Sequence, residues 1–250
     1  MDVLALRHFY AGPLGGQVRR LVAARLASMP LPPAGARVLG LGFAVPWLEI
    51  YQRRGCEVMA FMPAHQGAMR WPDDEMPATA LVDEAALPLA DGSMDLALVA
   101  HALELTPARK TMLAELWRVL APSGHAVFIV PNRAGLWARA ESTPFGHGRP
   151  FSRRQLEQLL LDASFTPQQW EHALFMPPWR ARLLRAAPGT WERAGRALFA
   201  GFSGLILADA VKQVHALRRE RKPALLIPAW RPAPAGLAPA PRAPAARRRA

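Results

Sequence analysis

The sequence predicts an α/β domain, a mostly parallel sheet with helices on both faces. Three observations lead there. Residues 96–100 and 126–130 are short apolar runs bounded by the turn residues Asp91-Gly92-Ser93 and Pro122-Ser123-Gly124, the pattern of strands covered on both faces. Between them Met112, Leu113, Leu116, Trp117, Val119 and Leu120 recur at helical spacing, with Arg109, Lys110, Glu115 and Arg118 on the opposite side. Strand, helix, strand at this spacing is the unit of a parallel sheet, and its crossover is right-handed.

The other elements follow in order. Residues 1–35 read as an N-terminal helical segment: a turn over residues 12–16, then a helix placing Val18, Leu21, Val22, Ala24 and Leu26 opposite Arg19, Arg20 and Arg25. An α/β domain is expected over 36–222. Its first strand, 37–42, runs into a tight turn, and a helix over 44–54 tolerates Pro46 in its first turn. Residues 57–62 and 80–82 give the second and third strands, and the fourth ends at His101. A loop rich in Gly and Pro, 143–152, follows the fifth strand; Ser152 is the expected N-cap of a helix carrying Leu156, Leu159, Leu160 and Ala163 inward. A sixth strand is expected over 170–176 and helices over 180–185 and 191–199. The apolar run 202–214 fits a strand or a helix equally. Residues 223–250, rich in Pro and Ala and ending in Arg247-Arg248-Arg249, hold too few large apolar side chains to offset the entropy of ordering and are expected to form a flexible tail.

Composition narrows the function classes. At 250 residues and 51% hydrophobic, the chain is long and apolar enough to bury a sizeable core. The net charge of +12 is mostly a property of the tail, because no acidic residue follows Glu220 while Arg221, Lys222, Arg231, Arg242, Arg247, Arg248 and Arg249 do. Such a tail supports nonspecific contacts with nucleic acid, but no aromatic and basic platform for specific binding accompanies it. The single cysteine, Cys56, excludes an internal disulfide and suits a reducing, cytoplasmic setting. Asp2, Arg7 and His8 interrupt any secretory apolar core, and the longest uncharged apolar stretch, 197–208, is too short to span a bilayer. No metal site is expected, since His101 and His147 have no third ligand beside them in the pattern.

Asp83, Leu87-Pro88-Leu89, Asp91-Gly92-Ser93-Met94-Asp95, Glu104 and the run from Glu115 to Gly124 closely resemble the second half of small class I S-adenosylmethionine-dependent methyltransferases. With the glycine turn upstream and the helix after Ser152, the resemblance covers residues 35–166. It implies a Rossmann-like fold with a mostly parallel seven-stranded sheet. It also implies S-adenosylmethionine as cofactor at the carboxyl ends of the first, second and fourth strands. The expected reaction is in-line methyl transfer to an acceptor, expected to be a small molecule, held near 145–151.

By the same resemblance, Gly40, Leu41, Gly42 and Phe43 form the cofactor turn after the first strand. Met62 and Pro63 stand at the ribose position, Asp83 and Glu84 beside the adenine, and Ala100 and His101 beside the transferable methyl group. The sequence departs from the family pattern here. The acidic residue at the end of the first strand falls on Gly40, later glycines on Ala44 and Pro46, and the ribose-binding acid on Met62. Each missing charge-assisted bond is worth about 1.5–3 kcal/mol, on the order of tenfold to a hundredfold in affinity. His101 is a candidate general base, or else a structural loop residue. Asn132, Arg133, His147 and Arg149 are candidates for holding a polar or anionic substrate, or else cationic decoration of a rigid loop. Two functions stay open: a methyltransferase, and a catalytically inactive protein of that fold acting as a binding or regulatory partner.

Overall fold

The protein is described from a computed structural model, which covers residues 1–72, 77–178 and 200–213. Its strands are β1 (Arg37–Gly42), β2 (Glu57–Pro63), β3 (Thr79–Val82), β4 (Met94–Ala100), β5 (Leu120–Pro131), β6 (Phe165–Ala173) and β7 (Leu205–Lys212). They form one sheet in the order β3-β2-β1-β4-β5-β7-β6. β1 to β5 pair in parallel, and β7 is antiparallel to both β5 and β6. The order reverses between β1 and β4, so a crevice opens at their carboxyl ends, where open α/β sheets bind ligands.

Helices α1 (Val3–Ala11), α2 (Pro13–Leu26) and α3 (Val45–Gln52) belong to one face. Val18, Val22, Leu26, Trp47, Leu48 and Tyr51 are buried there against Val38, Leu98, Val127 and Leu207. Helices α4 (Arg109–Val119) and α5 (Arg153–Asp162) cover the other, burying Met112, Leu113, Leu116, Leu156 and Leu160 against Leu39, Val99 and Phe128. Each such side chain contributes about 1.5–3 kcal/mol of transfer free energy. The α5 start is fixed as expected: Ser152 accepts from Gln155 N, and the Gln155 side chain accepts from Ser152 N.

Three expectations shift. The turn expected over 12–16 lies mostly inside α2, which begins at Pro13. A Cβ on Gly15 would stand 2.1 Å from the Phe9 carbonyl oxygen, so this glycine serves the close crossing of α1 over α2 rather than a turn. Within the ambiguous run at 202–214, residues 205–212 form strand β7, apolar on consecutive residues because both its faces are buried. The sixth strand begins earlier, at Phe165, and stops at Ala173 because Leu174 takes φ 63°. The register shift between Pro167 and Gln169 fits an edge strand, where proline and bulges are tolerated. The helices expected at 180–185 and 191–199 and the tail at 223–250 lie outside the described residues. The described residues fall within one compact unit. Among the described residues no helix is long and apolar enough to cross a membrane, and no group of three or more metal-ligating side chains comes together.

Candidate functional site

The site is the crevice at the tips of β1, β2 and β4. Gly42 ends β1 with φ +82°, and a Cβ there would stand 2.3 Å from the Ala100 carbonyl oxygen. Phe43 N donates to that same oxygen at 2.8 Å. The turn is therefore drawn onto β4 by backbone contact, a reason for glycine that involves no ligand. With the Phe43 N–H used and Pro46 lacking one, the loop keeps few donors for an anionic or polar ligand. Leu41 faces the opposite core cluster. At Gly40, a Cβ would meet Leu48 Cδ1 at 2.7 Å and Cδ2 at 2.9 Å. Leucine methyl groups hold the space into which an acidic side chain would project. Met62 is 1% exposed, and its sulfur accepts from Met69 N at 3.3 Å. Pro63 closes β2, its carbonyl accepting from Gln66 N.

Over these tips lies α1. Its Tyr10 ring stacks on Phe43 (centroids 5.7 Å, interplanar 18°) and stands edge-on to Trp47 at 5.6 Å. The Tyr10 hydroxyl is 2.7 Å from His101 Nε2. Phe9 packs edge-on to Phe145, which in turn lies 5.0 Å from the His101 ring. Val3 N donates to the Gln66 carbonyl, and the Gln66 amide donates to the His101 carbonyl. Helix, β2 loop and strand tip are thus tied together. Tyr10 and Phe43 are each 3% exposed; Phe43 belongs to the expected cofactor turn, while Tyr10 stands outside every motif of the sequence. Nothing local in the sequence links Tyr10 to His101, 91 residues away.

On the adenine side, Asp83 is exposed, and its Oδ1 accepts from Ala85 N at 2.8 Å. Glu84 is buried; its Oε1 accepts from the Thr106 hydroxyl at 3.0 Å and stands 3.4 Å from His65 Nδ1. Ala100, His101 and Met62 are all enclosed. The frame of the expected cofactor cleft is present, but in this closed arrangement the residues do not fit S-adenosylmethionine. Tyr10, Phe43, Met62 and Gln66 hold the volume, and no carboxylate stands at Gly40 or Met62. A groove of about 440 Å³ remains outside the plug, lined by Arg7, Tyr10, Phe43, Pro46, Met69 and Trp71 among others, and it does not include Asp83 or His101.

His101 follows β4 directly, in the left-handed region at φ 52°. Its Nδ1 lies 3.3 Å from Glu104 Oε1, and both side chains are buried. That approach lacks hydrogen-bond angles, and neither Glu104 oxygen has another partner among the described residues. Burial, followed by the charge of Glu104, pushes the Tyr10 phenol well above its usual range, so Tyr10 keeps its proton beside Nε2.

The four candidate substrate residues take different environments. Asn132 is buried, donating to the Gly201 carbonyl and Ser203 Oγ and accepting from Ala134 N, which fastens the end of β5. Arg133 and Arg149 are exposed, and Arg149 N donates to the Glu104 carbonyl. The His147 ring contacts the Glu141 carbonyl at 3.0 Å.

Residues 38–128 match the family model described as a methyltransferase domain. Among curated proteins, none matches the chain. Solved structures share its fold. A putative methyltransferase in complex with the Trm112 methyltransferase activator of Haloferax volcanii is 18% identical, over 86% of this chain and 99% of that one, with a TM-score of 0.59. A SAM-dependent methyltransferase from Archaeoglobus fulgidus is 20% identical, over 84% and 100%, with a TM-score of 0.58. Geranyl diphosphate C-methyltransferase from Streptomyces coelicolor, in complex with Mg²⁺, geranyl diphosphate and S-adenosyl-L-homocysteine, is 17% identical over 76% of each chain, with a TM-score of 0.54. Residues 38–128 thus match a methyltransferase domain, and the seven-stranded order is the fold that these solved methyltransferases share.

Proposed function

We propose that this chain is an S-adenosylmethionine-dependent methyltransferase that works from an opened form, with α1 withdrawn, on a small-molecule acceptor. The observation that carries this reading is the nature of the obstruction. The part of the plug that can leave is one nine-residue helix, held by Tyr10, Phe9 and the Val3–Gln66 bond, while Phe43, Met62 and Gln66 belong to the strand tips and loops beneath it. Beneath it the β1–β4 turn is intact, and Asp83 presents its carboxylate to solvent. An apparent affinity falls by the fraction of molecules that are competent. A closure worth about 3 kcal/mol would weaken cofactor binding on the order of a hundredfold. The neighbour that holds geranyl diphosphate supports a small-molecule acceptor. The test is incubation of the full chain with cofactor labelled in the methyl group and a cell extract, followed by separation by mass. Label in low-mass compounds supports the reading, and label in proteins alone rejects a small-molecule acceptor.

A second reading is favoured by Gly40 and Met62, where the cofactor's carboxylates are missing: a non-catalytic protein of this fold that binds a partner. The neighbour solved together with an activator protein supports a protein partner. No label transferred anywhere, with no heat of binding for S-adenosylhomocysteine at millimolar concentration, selects this reading.

A further inference from the structure

We propose that the groove outside the plug is a regulatory site for a small aromatic anion, and that its occupant holds the cleft closed. The groove has a volume of about 440 Å³, and four segments build it: Arg7 and Tyr10 of α1, Arg19 of α2, Phe43 and Pro46 from the entry into α3, and Trp71 after β2. Its apolar lining is anchored. Phe43 is buried, and Met69 and Trp71 are partly buried against the same core. Met69 N donates to the Met62 sulfur at 3.3 Å, and Ala78 N donates to the Trp71 carbonyl at 2.9 Å, so the stretch carrying both side chains is fastened on each side. A flat ring finds aromatic partners there.

The charges of the lining select an anion. Arg7 and Arg19 come from different helices and border the same groove. Neither enters an ion pair with a carboxylate among the described residues, where Arg53 and Arg118 are the arginines that do. Glu49 is the acidic residue of the described lining, and Arg53 already engages its Oε1 at 2.6 Å and 3.1 Å. Two uncommitted guanidinium groups beside an aromatic surface fit an oxyanion carried on a ring. The groove is separate from the plugged cleft, because neither Asp83 nor His101 lines it. It exists only while α1 is docked, since Arg7 and Tyr10 supply one of its walls. A ligand that bridges α1, α2 and α3 has no such site in the opened form, so its binding shifts the population toward closure. The consequence for the cofactor rests on the opened-form reading above. At about ten times its Kd, a ligand confined to the closed form weakens cofactor binding about tenfold.

The test titrates the full chain by calorimetry with phenyl phosphate, with phenol as the ring without the charge and inorganic phosphate as the charge without the ring. Phenyl phosphate is expected to bind at least about tenfold tighter than either. Arg7→Gln and Arg19→Gln should each weaken phenyl phosphate about tenfold, the size of one charge-assisted bond, and leave phenol unchanged. Saturating phenyl phosphate should slow amide exchange over residues 3–11 of the wild-type chain, which needs no variant. No heat with phenyl phosphate at millimolar concentration, inorganic phosphate binding equally well, indifference to both arginine substitutions, or unchanged exchange in α1 overturns the proposal. S-adenosylhomocysteine titrated with and without phenyl phosphate separates the two readings. Weaker binding in its presence is expected, and equal affinity overturns the proposal. No heat for S-adenosylhomocysteine in either titration counts against the methyltransferase reading, while the phenyl phosphate titration and the α1 exchange still decide the groove.

Discussion

Gly40→Ala probes how firmly the cleft has been filled. The new Cβ would stand 2.7 Å and 2.9 Å from the two Leu48 methyl carbons and 3.1 Å from Ala44 Cβ. Leu48 is fully buried on the inner face of α3, so its methyl groups can move only by disturbing the core that it shares with Trp47 and Tyr51. Overpacking of this kind costs about 1–3 kcal/mol. The stiffer unfolded chain returns about 0.4–1 kcal/mol. A net loss of about 1–2 kcal/mol is expected. Leu48→Ala alone should cost about 2–5 kcal/mol by leaving a cavity. If Leu48 is what excludes the β-carbon, the double variant recovers part of the loss, with a coupling of about 0.5–3 kcal/mol. Urea denaturation of the four proteins in the cycle measures it. Strict additivity would refute the claim that Leu48 occupies the place of the missing acidic side chain.

Other outcomes follow from the same geometry. Gly42→Ala meets both φ +82° and the Ala100 oxygen at 2.3 Å, so it should cost about 3 kcal/mol, and a loss under about 1 kcal/mol in denaturation would contradict the contact. Gly15→Val should lift α1 from α2, and amide exchange of residues 3–11 should quicken while that of β4 and β5 does not; unchanged α1 exchange would mean that the crossing is not what holds the helix. The hydrogen bond from His125 Nδ1 to the buried Asp209 raises the His125 pKa. Its contribution is therefore complete below the unfolded value of about 6.5 and lost as pH rises through the folded one. Because the imidazole is a third exposed, the amount is on the order of 0.5 kcal/mol. Denaturation midpoints of His125→Gln and wild type should converge between neutral and alkaline pH, and a gap that widens there would reverse the sign. His172 moves the other way: burial, then the Arg153 charge, lowers its pKa. It takes up its proton less readily folded than unfolded, so it withdraws stability as pH falls below about 6.5. His172→Gln should flatten that acid loss, and an unchanged slope would deny it.

The parts of the fold that were legible in the sequence are those whose apolar pattern answers to one neighbouring layer. The β4–α4–β5 unit reads directly, because two strands buried on both faces bracket a helix buried on one. The Ser152 cap reads directly because its partner Gln155 is three residues away. Gly15 misled: glycine beside proline signals a turn locally, while its use is a helix crossing fixed by Phe9 and Tyr10. β7 stayed undecided because a strand buried on both faces has no period of two. At the site, the erosion at Gly40 and Met62 was visible, but what replaced the lost groups was not. Leu48, Met69, Gln66 and Tyr10 fill the cleft through contacts that only the assembled tertiary structure creates.

The closure of the cleft by α1 is tested most directly by calorimetric titration of S-adenosylhomocysteine into the wild-type chain and into Tyr10→Ala, at one pH and salt. Closure by Tyr10 predicts binding to the variant at least tenfold tighter than to the wild type, because the variant no longer has to displace the phenol from Phe43 and His101. Equal affinity for the two proteins, at any strength, would show that Tyr10 does not occupy the cofactor's place.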